Sequence, residues 1–166
     1  AALVAAVANG GKRYKPLLVA RIEDVNKEEV MVIESVDVGR LPVSDENLER
    51  IRAGLVEVVN GRRGTGGMAE IEGVTVAGKT GTAQVVAMGE RPDPNEEEKI
   101  PFRFRDHAWF VAYAPVEEPK ITVSVLVEHG GHGGSAAGPI AREMIKTYLR
   151  VEELGIHELG LEELGM

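Results

Sequence analysis

Apolar residues recur at helical spacing in two segments near the start of the chain. Alanine and valine fill most of residues 1–8 before Asn9-Gly10-Gly11, which predicts a helix closed by a glycine in the left-handed conformation. A second helix is predicted to begin at Ser44, to end at Asn60-Gly61 and to pack on a sheet. Its apolar positions are Leu48, Ile51, Leu55 and Val58.

β-Branched and aromatic residues concentrate in further segments that predict strands. Residues 17–25 and 30–38 flank four polar residues, a pattern typical of a hairpin at the edge of a domain. Apolar residues enter a third strand from Ile71 and leave it at Val86. Residues 108–114 and 121–128 predict two more, and adjacency along the chain favours one antiparallel sheet of these three.

The rest of the chain predicts one helix and two segments without a regular pattern. The helix should run from about Pro139 to Arg150, with proline in its first turn. Its side chains expected to face the sheet are Ile140, Met144, Ile145 and Tyr148. Three prolines and ten charged residues between Gly89 and Asp106 predict a mobile surface excursion. In the acidic tail, residues 151–166, Glu-Leu-Gly repeats predict a short helix or disorder.

Composition excludes several classes of function. The 166 residues suffice for one domain with a core, and a net charge of −8 without a basic cluster argues against nucleic-acid binding. Without cysteine there are no disulfides or thiolate metal sites. No apolar run approaches the ~20 residues of a membrane span. Because the chain opens at Ala1 inside a predicted helix, we expect an excised piece of a longer protein.

The segment from Val76 to Gln84 carries the most distinctive chemistry. Lys79 supplies a positive charge, and the hydroxyls of Thr80 and Thr82 can bind a carboxylate. Gly81 has no side chain, so a ligand or another backbone can lie against the strand there. The alternative interpretation is a strand end with a glycine bulge and a solvated lysine.

Two other kinds of site come from neighbouring patterns. Gly73 to Thr80 satisfies G-x-x-x-x-G-K-T, the phosphate-binding P-loop, although strand-forming residues fill its loop and Gly81 stands where a helix should begin. His129 and His132 resemble a metal pair, but the glycines between them fix no geometry and no third ligand follows. We therefore expect no metal site, and we assign His107 no chemical role.

The lysine segment resembles the lysine-threonine-glycine box of penicillin-binding proteins and β-lactamases. The helix ending in Ala-Asn-Gly-Gly, the Gly-Thr-Gly loop at residues 64–66 and the motif from His107 to Pro115 extend this resemblance to residues 1–150. The chain is similar to the C-terminal part of the transpeptidase domain of a class B penicillin-binding protein, and within that class to penicillin-binding protein two, an elongation transpeptidase. The tail, residues 151–166, lies outside the resemblance.

The resemblance implies a fold, an activity and a site. The fold would be α+β, an antiparallel sheet with packed helices as in β-lactamases and transpeptidases. The parent protein would be a serine D,D-transpeptidase that cross-links peptidoglycan stem peptides and is acylated by β-lactams. Lys79 and Thr82 would be catalytic, the Thr82 N–H forming half of the oxyanion hole, and Lys79, Thr80, Gly81 and Thr82 would bind substrate. No metal or organic cofactor is implied.

The resemblance also implies a location and partners for the parent protein. It would be anchored by a single span, absent from this chain, with its catalytic domain on the outer, periplasmic side of the cytoplasmic membrane. Its partners would be stem peptides, β-lactams and the cell-wall elongation machinery, without nucleic acid.

The family's other two boxes, Ser-x-x-Lys and Ser-x-Asn, are absent from this sequence. The four serines, Ser35, Ser44, Ser124 and Ser135, are followed by neither pattern. Since the nucleophile is missing, we expect this chain to be inactive alone. The alternatives are a P-loop nucleotide-binding protein and a non-catalytic binding module, and exposed surface on such a piece could be covered by another copy of it.

Overall fold

The first helix leads into two short β-ribbons. A computed structural model describes residues 1–85 and 100–153, apart from the side chains of residues 151–153. In it α1 spans Ala2–Ala8 and is followed by Gly10 and Gly11 with positive φ of 76° and 93°, which confirms the predicted glycine stop. The tail from residue 154 lies outside the described residues, as does most of the predicted excursion.

The ribbons differ from the single hairpin that the sequence predicts. The strands β2 (Arg21–Glu23) and β3 (Glu29–Val32) pair as that hairpin, but β1 (Lys12–Tyr14) pairs with β4 (Asp37–Arg40) in a second ribbon. The predicted strand at residues 30–38 is therefore two strands. It divides because its ends pair with different partners, a long-range choice that local propensity does not encode.

The second helix confirms its prediction in extent and in part in its buried face. α2 spans Asp45–Asn60, and the Ser44 hydroxyl accepts a hydrogen bond from the Asn47 N–H at 3.3 Å. Leu48 and Val59 are buried. Ile51, expected on the inner face, is 45% exposed, because α2 contacts the sheet and α1 along a narrower stripe than its apolar spacing suggests.

One antiparallel sheet forms the centre of the fold, as predicted. Its strands β5 (Ala77–Ala83), β6 (His107–Ala114) and β7 (Ile121–Val127) lie in the order β5-β6-β7. The strand expected to begin at Ile71 begins only at Ala77. Residues 71–74 instead make a tight turn through a bridge between Ile71 and Val74, with Gly73 at a φ of 77°.

The larger core lies on one face of this sheet. Phe110 at its centre is fully buried, and the cluster around it draws on the end of α2, the residue 69–76 segment, β6, β7 and the C-terminal helix. A smaller cluster on the opposite face joins Tyr113 and Ala77 to Ala8 of α1. The architecture is the α+β class that the sequence predicts.

The C-terminal helix confirms its predicted position but turns a different side to the sheet. α3 (Gly133–Ala136) is a single turn, and α4 spans Gly138–Glu153. Of the four residues expected to face the sheet, only Ile145 is buried; Ile140, Met144 and Tyr148 are 45%, 48% and 37% exposed. The buried side carries Ala141 and Ile145, and Ala137, just before α4, belongs to the same core, since alanines let the helix axis approach the strands.

The three exposed apolar residues of α4 line a groove with Ile121 on β7. Its volume is about 860 Å³. In the part of the chain that the structure describes, no helix combines the length and apolar character of a membrane span.

Candidate active site

The lysine segment lies on the outer strand of the sheet. β5 pairs only with β6 among the described strands, with Thr80 opposite Phe110, Gly81 opposite Trp109 and Thr82 opposite Ala108. In an antiparallel ladder, successive residues direct their N–H and C=O groups alternately towards the partner and away from it. The Thr80 carbonyl accepts a hydrogen bond from Lys79 Nζ, so we assign Thr80, and by the same alternation Thr82, to the outward positions. The Thr82 N–H then points away from β6.

Side chains of this segment divide between the two faces of the sheet. The two-residue period puts Lys79 and Gly81 on one face, and Thr80 and Thr82 on the face of the larger core. A Cβ built on Gly81 would lie 3.1 Å from the Trp109 Cβ, which shows that these two residues share a face. The side chains of Lys79 and Thr82 therefore lie on opposite faces of the sheet, and they can approach each other only by passing the open edge of β5.

Lys79 reaches around this edge to the other face. Its Nζ donates to the Thr80 carbonyl oxygen at 2.7 Å and lies 3.4 Å from the Thr80 hydroxyl oxygen. The residue is exposed, as is Thr82, while Thr80 and Gly81 are partly buried. The structure thus brings an ammonium group and the hydroxyl of Thr80 together at the edge of β5 that pairs with no other described strand, an arrangement suited to an extended peptide that carries a negative charge.

Thr65 is a residue of this site that the sequence analysis left without a role. Its hydroxyl oxygen lies 2.9 Å from that of Thr80, although 15 positions separate the two in the chain. The available signal was the Gly-Thr-Gly pattern, since small residues on both sides allow a loop to approach a strand closely.

Two glycines after β7 close the site from the side of the core. A Cβ on Gly133 would overlap the Trp109 carbonyl oxygen, and a Cβ on Gly134 would overlap that of Thr65. Both would also lie near β5, at Gly81 and at the Thr80 methyl group respectively. Gly133 and Gly134 are therefore needed for close packing rather than for flexibility.

The histidines have structural contacts. The His107 Nδ1 accepts a hydrogen bond from the His129 N–H at 2.9 Å, and the His129 ring contacts the Arg105 carbonyl oxygen at 3.0 Å. Within the described ranges, no three His, Cys, Asp or Glu side chains are arranged to hold a metal ion.

The P-loop interpretation is wrong. Lys79 and Thr80 lie in the middle of β5, which continues to Ala83, whereas a P-loop requires a helix to start at these residues. Gly73 belongs to the turn before the strand and forms no phosphate-binding loop with Gly78. The residues that match the P-loop pattern thus belong to two different local structures, the turn before β5 and the strand β5 itself.

Comparison with protein families supports one of the remaining interpretations. A family model described as the penicillin binding protein transpeptidase domain matches residues 1–146. This chain belongs to the penicillin-binding protein transpeptidase family. The match includes the lysine segment, Thr65 and both glycines after β7, so the residues at the open edge of β5 lie within the family domain.

Several relatives of this chain are named peptidoglycan D,D-transpeptidases. It is 42% identical over 102 residues to MrdA of Haemophilus influenzae, which covers 61% of this chain and 16% of MrdA. It is 33% identical over 161 residues to PbpA of Mycobacterium tuberculosis, covering 92% of this chain and 29% of PbpA. The chain thus spans less than a third of the length of these relatives.

Solved structures agree with the fold. The D,D-transpeptidase domain of a peptidoglycan glycosyltransferase from Eggerthella lenta aligns with a TM-score of 0.70 at 31% identity, covering 92% of this chain and 31% of that one. A ceftriaxone acyl-enzyme complex of penicillin-binding protein A from M. tuberculosis aligns with a TM-score of 0.69 at 29% identity. The alignment covers 87% of this chain and 30% of that one. Penicillin-binding protein 2 of Helicobacter pylori, in complex with MreC, aligns with a TM-score of 0.61 at 29% identity. The alignment covers 93% of this chain and 24% of that one.

Proposed function

We propose that this chain forms one side of the active site of a serine-type peptidoglycan D,D-transpeptidase, in a longer protein that supplies the nucleophile. The observation that carries this proposal is the open edge of β5, where Lys79, Thr80, Gly81 and Thr82 lie within the matched domain. The chain has no Ser-x-x-Lys sequence, so the attacking serine must come from another segment.

We propose a role for each residue at the open edge of β5. An extended stem peptide, or a β-lactam, would lie along the outer side of β5, where Gly81 presents no side chain to it. The outward N–H of Thr82 would donate to the oxyanion that forms when serine attacks the carbonyl carbon. The ammonium group of Lys79 would stabilise the negative charge there, and the Thr80 and Thr82 hydroxyls would bind the substrate carboxylate. This acyl transfer needs no metal or organic cofactor.

The relatives support a location and partners for the longer protein. We propose that the longer protein is anchored by a single span, with this domain on the outer side of the cytoplasmic membrane, where peptidoglycan is cross-linked. The acyl-enzyme complex of the M. tuberculosis homologue supports β-lactams as ligands, and the MreC complex of the H. pylori homologue supports the elongation machinery as partner.

The test of this function is covalent labelling. We expect that a version extended upstream to the length of its relatives forms an adduct with a fluorescent penicillin that survives denaturation, and that the 166-residue chain forms none. The control is the extended protein with its Ser-x-x-Lys serine changed to alanine, which should not be labelled. A labelled band from the 166-residue chain would disprove the assignment of the nucleophile to another segment. An unlabelled extended protein would favour the alternative, a non-catalytic binding module.

A second prediction concerns the hydroxyl of Thr82. In the extended protein, Thr82→Val should slow acylation by a carboxylate-bearing β-lactam about 10- to 150-fold, the value of a hydrogen bond to a charged group. The backbone N–H is retained, so the oxyanion contact should persist and the loss should stop short of inactivation. Stopped-flow rates for the same β-lactam with its carboxylate esterified provide the comparison. Equal slowing of both ligands would exclude carboxylate binding by Thr82.

A further inference from the structure

The contact between Thr65 and Thr80 joins the loop before β5 to the lysine segment. A threonine hydroxyl can donate one hydrogen bond and accept two, whereas a lysine ammonium group only donates. Lys79 Nζ lies 3.4 Å from the Thr80 hydroxyl oxygen, so it can donate to one lone pair of that oxygen. Thr65, at 2.9 Å, can fill the second lone pair by donating. Either hydroxyl can be the donor in this pair; when Thr65 donates, the proton of Thr80 points to a third group.

The backbone on both sides of Thr65 is held in place by hydrogen bonds and close contacts. The Gly66 N–H donates to the Val58 carbonyl at 2.8 Å, and the Gly64 N–H donates to the Gly61 carbonyl at 2.8 Å. A Cβ on Gly64 would overlap the Val58 carbonyl oxygen, and one on Gly66 would lie 3.1 Å from the ring of Phe110. The loop is thus fixed to the end of α2 and to the core.

The other side of Thr65 is also restricted. Gly134 lies against its carbonyl oxygen, and a Cβ there would be 3.4 Å from the Thr80 methyl group. Thr80 accordingly lies between Thr65 and Gly134, with its remaining direction towards the open edge of β5. A group that is fixed before binding loses less conformational freedom when a ligand arrives.

We infer that Thr65 is a positioning residue that orients the Thr80 hydroxyl as a hydrogen-bond donor to the carboxylate of the stem peptide or β-lactam. This inference rests on the proposed function and adds a residue to it. In this role Thr65 acts through Thr80. It donates to Thr80, Lys79 donates to the same oxygen, and the Thr80 O–H is left to donate to the anion.

A double-mutant cycle in the extended protein tests this inference. Thr65→Val should slow acylation by a carboxylate-bearing β-lactam about 2- to 10-fold, the range of a neutral hydrogen bond, and Thr65→Ser should restore the rate. In a Thr80→Val background, Thr65→Val should have no further effect, since residues in one hydrogen-bond network are non-additive. With the esterified β-lactam, Thr65→Val should have no effect at all.

The matched control is Thr122→Val on β7, opposite Tyr113, which removes a hydroxyl from the same sheet away from the lysine strand and should leave the rate unchanged. Equal slowing by Thr65→Val with and without the Thr80 hydroxyl would overturn the inference. An acylation rate of Thr65→Val equal to that of the unmodified protein would also overturn it.

A measurement on the 166-residue chain separates this inference from the proposed function. Three-bond NMR couplings report the χ1 rotamer of Thr80, which should be single in the unmodified chain and in Thr65→Ser, and averaged in Thr65→Val. A single rotamer in Thr65→Val would overturn the positioning role even if the extended protein is acylated. If the extended protein is not acylated, the proposed function fails, and averaging would then support Thr65 as the group that fixes Thr80.

Discussion

Lys79→Met in the extended protein is expected to slow β-lactam acylation by about 100- to 1,000-fold, the range measured when one preorganised electrostatic contact to an oxyanion is removed. Methionine keeps an unbranched side chain of similar length but has no charge. Lys79 is exposed, and within residues 1–85 and 100–153 its ammonium group is hydrogen-bonded to Thr80 alone, so the fold should be retained. Stopped-flow acylation rates and a thermal melt measure the two effects separately.

The control for this variant is Lys146→Met. Lys146 lies on α4, where its ammonium group pairs with Glu143 at 3.4 Å, and its side chain is 44% exposed. The same change of charge there should leave the acylation rate unaltered. If Lys79→Met and Lys146→Met gave equal rates, Lys79 would have no electrostatic role in the site, and the proposed function would lose its central group.

Phe110→Ala is expected to destabilise the 166-residue chain by about 3–5 kcal/mol, the cost of a large-to-small change in a packed core. Phe110 is fully buried at the centre of the sheet, and its ring lies 2.9 Å from the position of a Cβ on Gly78 and 3.1 Å from one on Gly66. A cavity there would loosen both the lysine strand and the loop that carries Thr65. Urea denaturation followed by circular dichroism gives the free energy of unfolding.

Two further variants keep this prediction testable, because such a loss is a large part of the stability of a small domain. Phe110→Leu should retain a folded chain with a smaller loss. Leu126→Ala, on the other face of the sheet where Leu126 is 44% exposed, should cost much less than Phe110→Ala. If Leu126→Ala and Phe110→Ala had equal costs, the main core would not lie on the face that Phe110 occupies.

The family and most of the regular structure could be predicted from the sequence. The strands β6 and β7 are short, strongly apolar runs between prolines and polar turns, so local composition specifies them. α2 has a serine cap and a helical apolar period, and its bounds agree with the prediction within one residue. In the lysine segment, residue types alone indicated an anion-binding site, because charge, hydroxyls and a missing side chain are properties of single residues.

The sequence by itself thus determined the elements of this protein and the chemistry of its lysine segment, because both depend on residues close together in the chain. The tertiary structure decided which faces are used. α4 turns Ala141 and Ile145 to the core instead of Ile140 and Met144, and Ala137 just before it is buried as well, since close approach to the strands favours small side chains at the contact. Thr65 meets Thr80 only because glycines let a loop fixed to α2 reach β5, and that contact depends on how separate elements pack.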